Sequence, residues 1–415
     1  MRLPAVLLIA AIASGCGSGV ATRGPSASPG PSSVSSAASP STQDQQAVYA
    51  AIERQVEAIR QLQPKSTVTP VLLDSQGVRD WLTKANAEQT NHQAMADEGR
   101  LFIHMGLLPA GSSLEQMELD LESGQVIGFY DPTSKGLYVL SQSGAVGPTE
   151  KFTFSHEYTH ALQDQNFGLD KLATDTPDQG ARDLARVALP EGDATLEMTM
   201  WAQKNLSMVD LFAIAGSSIG APGADQLAKA PAILRDTLEF PYDAGLNFVQ
   251  GIYNTGGWAA VDKVYANPPA STSQILHPEL YTNGVQPVAV TVPAVPASLG
   301  SGWKRIMADT LGELQLRIWL EGESPTSDQT ATATSAVAEW GGDRAALYEG
   351  PDGAWAVVLS TAWRTEAGAS AFMAGTTQRL VTLGGHFQSC GDATHVNVVI
   401  ASAESLVQQF LDCNA

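Results

Sequence analysis

Pro148-Thr149-Glu150-Lys151-Phe152-Thr153-Phe154-Ser155-His156-Glu157-Tyr158-Thr159-His160-Ala161-Leu162-Gln163-Asp164-Gln165-Asn166-Phe167-Gly168 is the stretch on which the fold turns. Pro148 and Thr149 are helix-start residues, and Gly168 suits the left-handed position that ends a helix, so the pattern predicts a helix running to about residue 166. His156 and His160 are then separated by about 400° of rotation and about 6 Å of rise, and both imidazoles leave the same face one turn apart. Ring nitrogens so placed can share one ion at about 2.0–2.1 Å, as zinc requires. Glu157 lies roughly 100° round the helix from His156. There it flanks the ion without ligating it, and its carboxylate can take a proton from a water molecule.

A catalytic zinc needs a third protein ligand and an open coordination position. Glu191, in Leu189-Pro190-Glu191-Gly192-Asp193-Ala194, is the first choice. It falls on a helix predicted over 179–206 and interrupted at Pro190, and small Gly192 and Ala194 would let that helix approach the first one closely. Glu197, nearly two turns further on, is the competitor. Asp164, one turn beyond His160, and Asp193 and Thr195, beside Glu191, are the residues expected to orient the ligands. Zinc would lower the pKa of a bound water toward about 7, and Glu157 would receive the proton and deliver it to the leaving amine.

Working outward, 126–130 and 136–140 are short β-rich runs flanking Asp131-Pro132-Thr133-Ser134-Lys135, which predicts a hairpin. Val48, Ile52, Val56 and Ile59 recur at helical spacing, and a second helix is expected from Ser75. Gly216 to Gly223 is read as a small-residue loop, with helices around 246–253 and 258–265 and an extended Val/Pro connector over 286–296. Beyond it, helices over 310–321 and 366–380 and strands over 354–359 and 395–400 form a small unit of their own. The fold class is therefore α+β and mainly helical.

The chain has 415 residues, more than one hydrophobic core usually serves, so two units are expected, over 44–290 and 300–415. Its net charge of -20 argues against affinity for nucleic acid or anionic lipid. Arg2, the apolar run from Leu3 to Ala13 and small residues before Cys16 mark 1–15 as an export signal, too short to span a bilayer. The arrangement resembles a bacterial lipoprotein signal, which implies lipidation of Cys16 and an extracytoplasmic, membrane-anchored protein. Residues 16–43, rich in Ser, Pro, Ala and Gly, read as a flexible tether. Cys390 and Cys413 remain as a pair in an oxidising compartment and are expected to form a disulfide.

His156-Glu157-x-x-His160-Ala161-Leu162-Gln163-Asp164-Gln165, followed by Glu191-Gly192-Asp193-Ala194, resembles the gluzincin-type zinc metallopeptidases. It is most similar to a set of secreted zincin-like microbial proteins. The similarity extends to Gly128-Phe129-Tyr130-Asp131-Pro132, to Pro268 through Pro278, and to Trp340-Gly341-Gly342-Asp343-Arg344, so it covers most of the chain after the tether. It implies a peptide or protein substrate and a zincin-like domain, with a small sheet whose edge strand beside the metal helix pairs with extended peptide. Phe129–Tyr130 or 137–140 would supply that edge. It also implies a His or Tyr that stabilises the oxyanion, for which His277, with Tyr281 behind it, is the nominee.

Three rival readings remain open. A zinc-binding surface protein without turnover would keep the same ligands, although a purely structural zinc needs no Glu157. A cell-wall amidase would share the chemistry but not the substrate. Gly216-Ser217-Ser218-Ile219-Gly220 formally matches a serine nucleophile elbow, which requires a strand before Ser218 and a helix directly after it.

Overall fold

Apolar residues at helical spacing give the first ordered element its buried face: α1 (Thr42–Arg60) buries Tyr49, Ile52, Val56 and Ile59. The computed structural model describes residues 7–10, 42–141, 144–172, 176–218, 222–411 and 413. Cys16 and residues 16–41 of the expected tether lie outside the described residues, as do 1–6 and 11–15 of the expected leader. No helix among the described residues is long and apolar enough to cross a membrane.

The expected hairpin is present. After β1 (Leu7–Ala10), α1, β2 (Pro70–Leu73), α2 (Ser75–Gln89), α3 (His92–His104) and α4 (Leu114–Gln125), the chain forms β3 (Val126–Asp131) and β4 (Gly136–Leu140). β3 and β4 are antiparallel, with Gly128 opposite Val139. Asp131 accepts from the Thr133 N–H at 2.9 Å, and Lys135 takes the left-handed φ of 59° that closes the turn. β2 adds to β4 in parallel, and β1 pairs antiparallel with β3, giving the order β1-β3-β4-β2. Residues 137–140 therefore lie inside the sheet between β3 and β2 and cannot serve as its edge. Phe129–Tyr130 on β3 likewise lie inside the sheet, between β4 and Leu7–Ala10, part of the stretch read as a leader, so neither expected segment is an edge in this structure.

α5 (Pro148–Phe167) carries the decisive stretch and ends at Gly168, whose φ is 76°. The Glu150 side chain turns back to accept from the Gly147 N–H at 3.0 Å and caps the start. α6 (Gly180–Asn205) runs unbroken through Pro190, which forfeits one backbone bond without ending the helix. α7 (Met208–Ser218), α8 (Pro222–Lys229), α9 (Ala232–Gly256), α10 (Trp258–Ala266), α11 (Thr272–Leu276) and α12 (Pro278–Thr282) follow. Ser218 ends a helix instead of following a strand, so the nucleophile-elbow geometry is absent.

The C-terminal part holds β5 (Lys304–Asp309), α13 (Gly312–Glu321), α14 (Ser327–Val337), β6 (Trp340–Glu349), β7 (Trp355–Trp363), α15 (Glu366–Leu383), β8 (His386–Gly391), β9 (His395–Ala401) and α16 (Glu404–Phe410). Its sheet runs β5-β6-β7-β9-β8, antiparallel throughout. The architecture is thus α+β and mainly helical, with two small sheets. One hydrophobic core runs from Phe102 and Phe248 among the helices to Trp319, Trp340 and Trp363 beside the second sheet. The Trp319 indole donates to the Met105 carbonyl at 3.0 Å and Arg379 to the Gly106 carbonyl at 2.9 Å, fastening the two stretches together.

Cys390 on β8 and Cys413 beyond α16 form the expected disulfide, with Cα atoms 5.8 Å apart. It closes a loop of sequence separation 23. The double variant Cys390→Ala/Cys413→Ala should lose about 3 kcal/mol of stability in denaturant unfolding, the chain-entropy cost of reopening such a loop.

Candidate metal centre

Two helices and one strand build the centre. His156 and His160 leave one face of α5, and α6 crosses that face with Glu191 pointing into it. Glu191 Oε2 lies 3.1 Å from His156 Nε2 and 3.4 Å from His160 Nε2. Donors held 2.0–2.1 Å from one tetrahedral zinc would stand about 3.3 Å apart, so the spacing already present is that of three ligands around an ion. His156, His160 and Glu191 form a buried group that can hold a metal. Among the described residues it is the one set of three His, Cys, Asp or Glu side chains whose ligand atoms come together this closely.

The expected reason for the helix approach needs correction. Gly192 does not face α5: a Cβ there would meet the backbone of Gly245 on α9 at 2.2 Å. A Cβ on Gly245 would in turn meet the Ala188 carbonyl at 2.3 Å. Backbone-to-backbone packing of α9 on α6 thus fixes Glu191 from behind. Glu197 does not join the group; it is buried and takes a hydrogen bond from Thr159 Oγ1 at 3.1 Å.

The residues that orient the ligands also differ from expectation. Asp164 accepts from the Tyr130 hydroxyl at 2.8 Å and from Lys135 Nζ at 2.7 Å, tying the hairpin to α5. Gln163 does the orienting: its Oε1 lies 2.8 Å from His160 Nδ1, while its Nε2 donates to the Pro190 carbonyl at 3.0 Å. With Nδ1 engaged, Nε2 of His160 is left for a metal. Asp193 braces α6 instead, held by Arg60 at 2.6 and 3.0 Å and by the Tyr265 hydroxyl at 2.6 Å.

His277 is not brought to these ligands by its polar contacts. Its Nε2 bonds Glu313 Oε1 at 2.7 Å and its Nδ1 stands 3.8 Å from Glu279, and these carboxylates raise its pKa. The Tyr281 hydroxyl donates to the Asn267 carbonyl at 2.8 Å. The aromatic ring that does approach is Tyr242 on α9, with its centroid 6.4 Å from that of His156.

Burial governs the electrostatics. His156, Glu157 and His160 are fully buried and Glu191 nearly so. Burial, with the neighbouring His160, pushes the His156 pKa down to about 4 and keeps the ring neutral, the form in which it ligates a metal. Burial alone would raise Glu191, but the two histidines hold it below the ordinary carboxylate range. Burial and the Glu191 charge push Glu157 well above that range. His156 Nδ1 and His160 Nε2 are buried without a hydrogen-bond partner, and the Glu157 carboxyl group is buried beside them with only the Tyr130 backbone near it. Unmatched buried polar atoms are costly, and a cation with its water would satisfy His160 Nε2 and the Glu157 carboxyl group, whereas His156 Nδ1 lies on the far side of its ring from Glu191. Gly128 of β3 makes room beside them, since a Cβ there would stand 2.3 Å from Thr153 and 3.3 Å from Glu157.

Comparison with known proteins adds little at the centre itself. The family described as Domain of unknown function (DUF8575) matches residues 302–408, the stretch from just before β5 into α16. No curated protein matches the chain. No solved structure matches it.

Proposed function

We propose that the protein is a zinc-dependent peptide-bond hydrolase of the zincin kind, working outside the cytoplasm on a membrane tether. The observation that carries the reading is the pairing of three convergent ligand atoms with an adjacent, fully buried carboxyl group. A structural zinc has no use for Glu157. Bound there, zinc supplies a Lewis acid for the carbonyl and makes a water acidic enough to lose its proton near neutral pH.

His156 and His160 through Nε2 and Glu191 through its carboxylate would hold the ion, and Gln163 fixes the His160 ring. Glu157 takes the proton at its carboxylate and returns it to the leaving nitrogen. The raised affinity of this buried carboxyl for a proton suits the first half of that task. Tyr242, whose ring approaches His156, is the side chain we assign to steady the carbonyl oxygen, in place of His277. An extended substrate lies along the outer edge of β3, antiparallel to it, in the place that Leu7–Ala10 takes in the chain with its leader. Removal of the leader therefore uncovers the binding edge. Chain ending its leader at Cys16 should cleave a peptide library at least about tenfold faster than chain retaining residues 1–15, as freeing one pairing edge requires; equal rates would count against this placement.

Full burial of the four side chains favours a second reading, a metal-binding surface protein without turnover. Metal analysis and hydrolysis on the same samples separate the two. Wild-type protein should carry about one zinc per chain, while His156→Ala and Glu191→Ala should bind it at least 10–100-fold more weakly, because each removes a donor. Glu197→Ala should keep the metal. Zinc retained in all variants would remove the ligand assignment. Zinc-loaded wild type, freed of its leader, that cleaves no peptide would establish the second reading.

A further inference from the structure

α7 (Met208–Ser218) is an apolar helix that the fold does not cover. Met208, Val209 and Phe212 share one face at helical spacing and are 65%, 77% and 71% exposed. No other helix among the described residues exposes three large apolar side chains. Asp210 is the helix's one charged residue, and it caps the helix start, accepting from the Ser207 N–H at 2.9 Å and from its hydroxyl at 2.7 Å. Leu211, on the opposite face, packs into the cluster of Tyr49, Ile52 and Phe154. That inner face explains why the helix forms; it leaves the outer face unexplained.

The place of α7 in the fold identifies an occupant. Val48, Phe152, Leu206 and Leu211 pack on the same cluster, so α7 sits at the end of the molecule where α1 begins. Gln45 at that end bonds the Gly144 carbonyl at 2.6 Å, just before α5. The Ser/Pro/Gly-rich segment before α1, residues 16–41, joins the fold at this point. A tether of roughly 26 residues reaches at most about 90 Å and as a flexible coil spans about 30 Å. It would therefore hold this end of the molecule within reach of a bilayer at high effective concentration.

We propose that the exposed face of α7 seats on the lipid bilayer to which the chain is tethered; this rests on reading 16–43 as a membrane tether. The face suits an electrically neutral bilayer, because a chain of net charge -20 is repelled by anionic headgroups. Met208, Val209 and Phe212 enter the interface, and the helix lies flat on it. α5, whose first turns share the α7 cluster, then carries the metal centre close to the membrane surface.

Site-directed spin labelling of the full chain tests this on phosphatidylcholine vesicles. With Cys390 and Cys413 paired and Cys16 acylated, a cysteine introduced by Val209→Cys is the one reactive thiol, and intact mass checks for a single label. Val381→Cys, 69% exposed on α15, is the control. Both positions are on the surface, and unchanged metal content reports an intact fold. Accessibility of the label at 209 to an aqueous nickel chelate should fall about tenfold on adding vesicles, as seating roughly 5–10 Å into the interface requires, while the label at 381 stays exposed. Equal accessibility at the two positions overturns the proposal, and so does failure of the chain to float with the vesicles. Loss of accessibility without vesicles, with spin–spin broadening, also overturns it and shows that a second copy of the chain covers α7.

Discussion

Glu157→Gln should retain about one zinc per chain and hydrolyse peptides about 10²–10⁴-fold more slowly, the usual contribution of a positioned general base. The substitution keeps the side chain's size and both polar atoms. It leaves His156, His160 and Glu191 as they are, with Glu191 Oε2 3.1 and 3.4 Å from the two ring nitrogens. What it removes is the capacity to accept a proton beside the ion. An amide in that position is neutral, as is the protonated carboxyl group that burial favours, so metal binding should be maintained. Metal analysis alongside initial rates checks both halves. A variant that loses zinc would make Glu157 a ligand, and one that keeps full activity would remove its proposed role.

Arg60→Met should destabilise the fold by about 3–5 kcal/mol, the usual cost of leaving one half of a buried ion pair without its partner. Arg60 and Asp193 side chains are both 0% exposed, so solvent screening offers no relief. Arg60 Nε and Nη2 reach the two Asp193 oxygens at 2.6 and 3.0 Å, and Nη2 also reaches Asp262 at 2.7 Å. The Trp258 ring lies 4.5 Å from its guanidinium carbon. The network ties α1 to α6 two residues past Glu191, so its loss should also weaken metal binding. In denaturant unfolding, Arg60→Met/Asp193→Leu should recover much of the loss, because no fully buried charge then remains unpaired and the Asp262 side chain, 36% exposed, is left to solvent. Additive effects of the two substitutions would contradict the network.

The parts of this structure that were legible in the sequence are those specified by local chemistry. α5 was readable from both ends, because Pro148 and Gly168 have backbone preferences that act without tertiary help. The β3–β4 hairpin was readable from its turn residues. Glu191 is the acid that comes to the two histidines, but for a reason the packing reverses, since Gly192 meets α9 and not α5. Which of two neighbouring polar residues reaches a histidine depends on helix phase: Gln163, three residues past His160, turns toward it, while Asp164 turns to Tyr130 and Lys135. The approach of Tyr242 on α9 to His156 on α5 is a long-range event that local sequence does not show. The pairing of β2 with β4 was hidden as well: Pro70 reads as a break, yet it begins an edge strand, where its missing N–H costs little. β1 fell in a run that serves equally well as an export signal, and nothing local distinguishes the two.

The most direct test is a crystal structure of the chain with data collected on both sides of the zinc absorption edge. The account predicts one anomalous peak per chain, about 2.0–2.1 Å from Nε2 of His156 and His160 and about 2.0–2.2 Å from a Glu191 oxygen, with Glu157 facing it unbound. No peak in zinc-supplemented crystals, or a peak held by a different set of side chains, would contradict it.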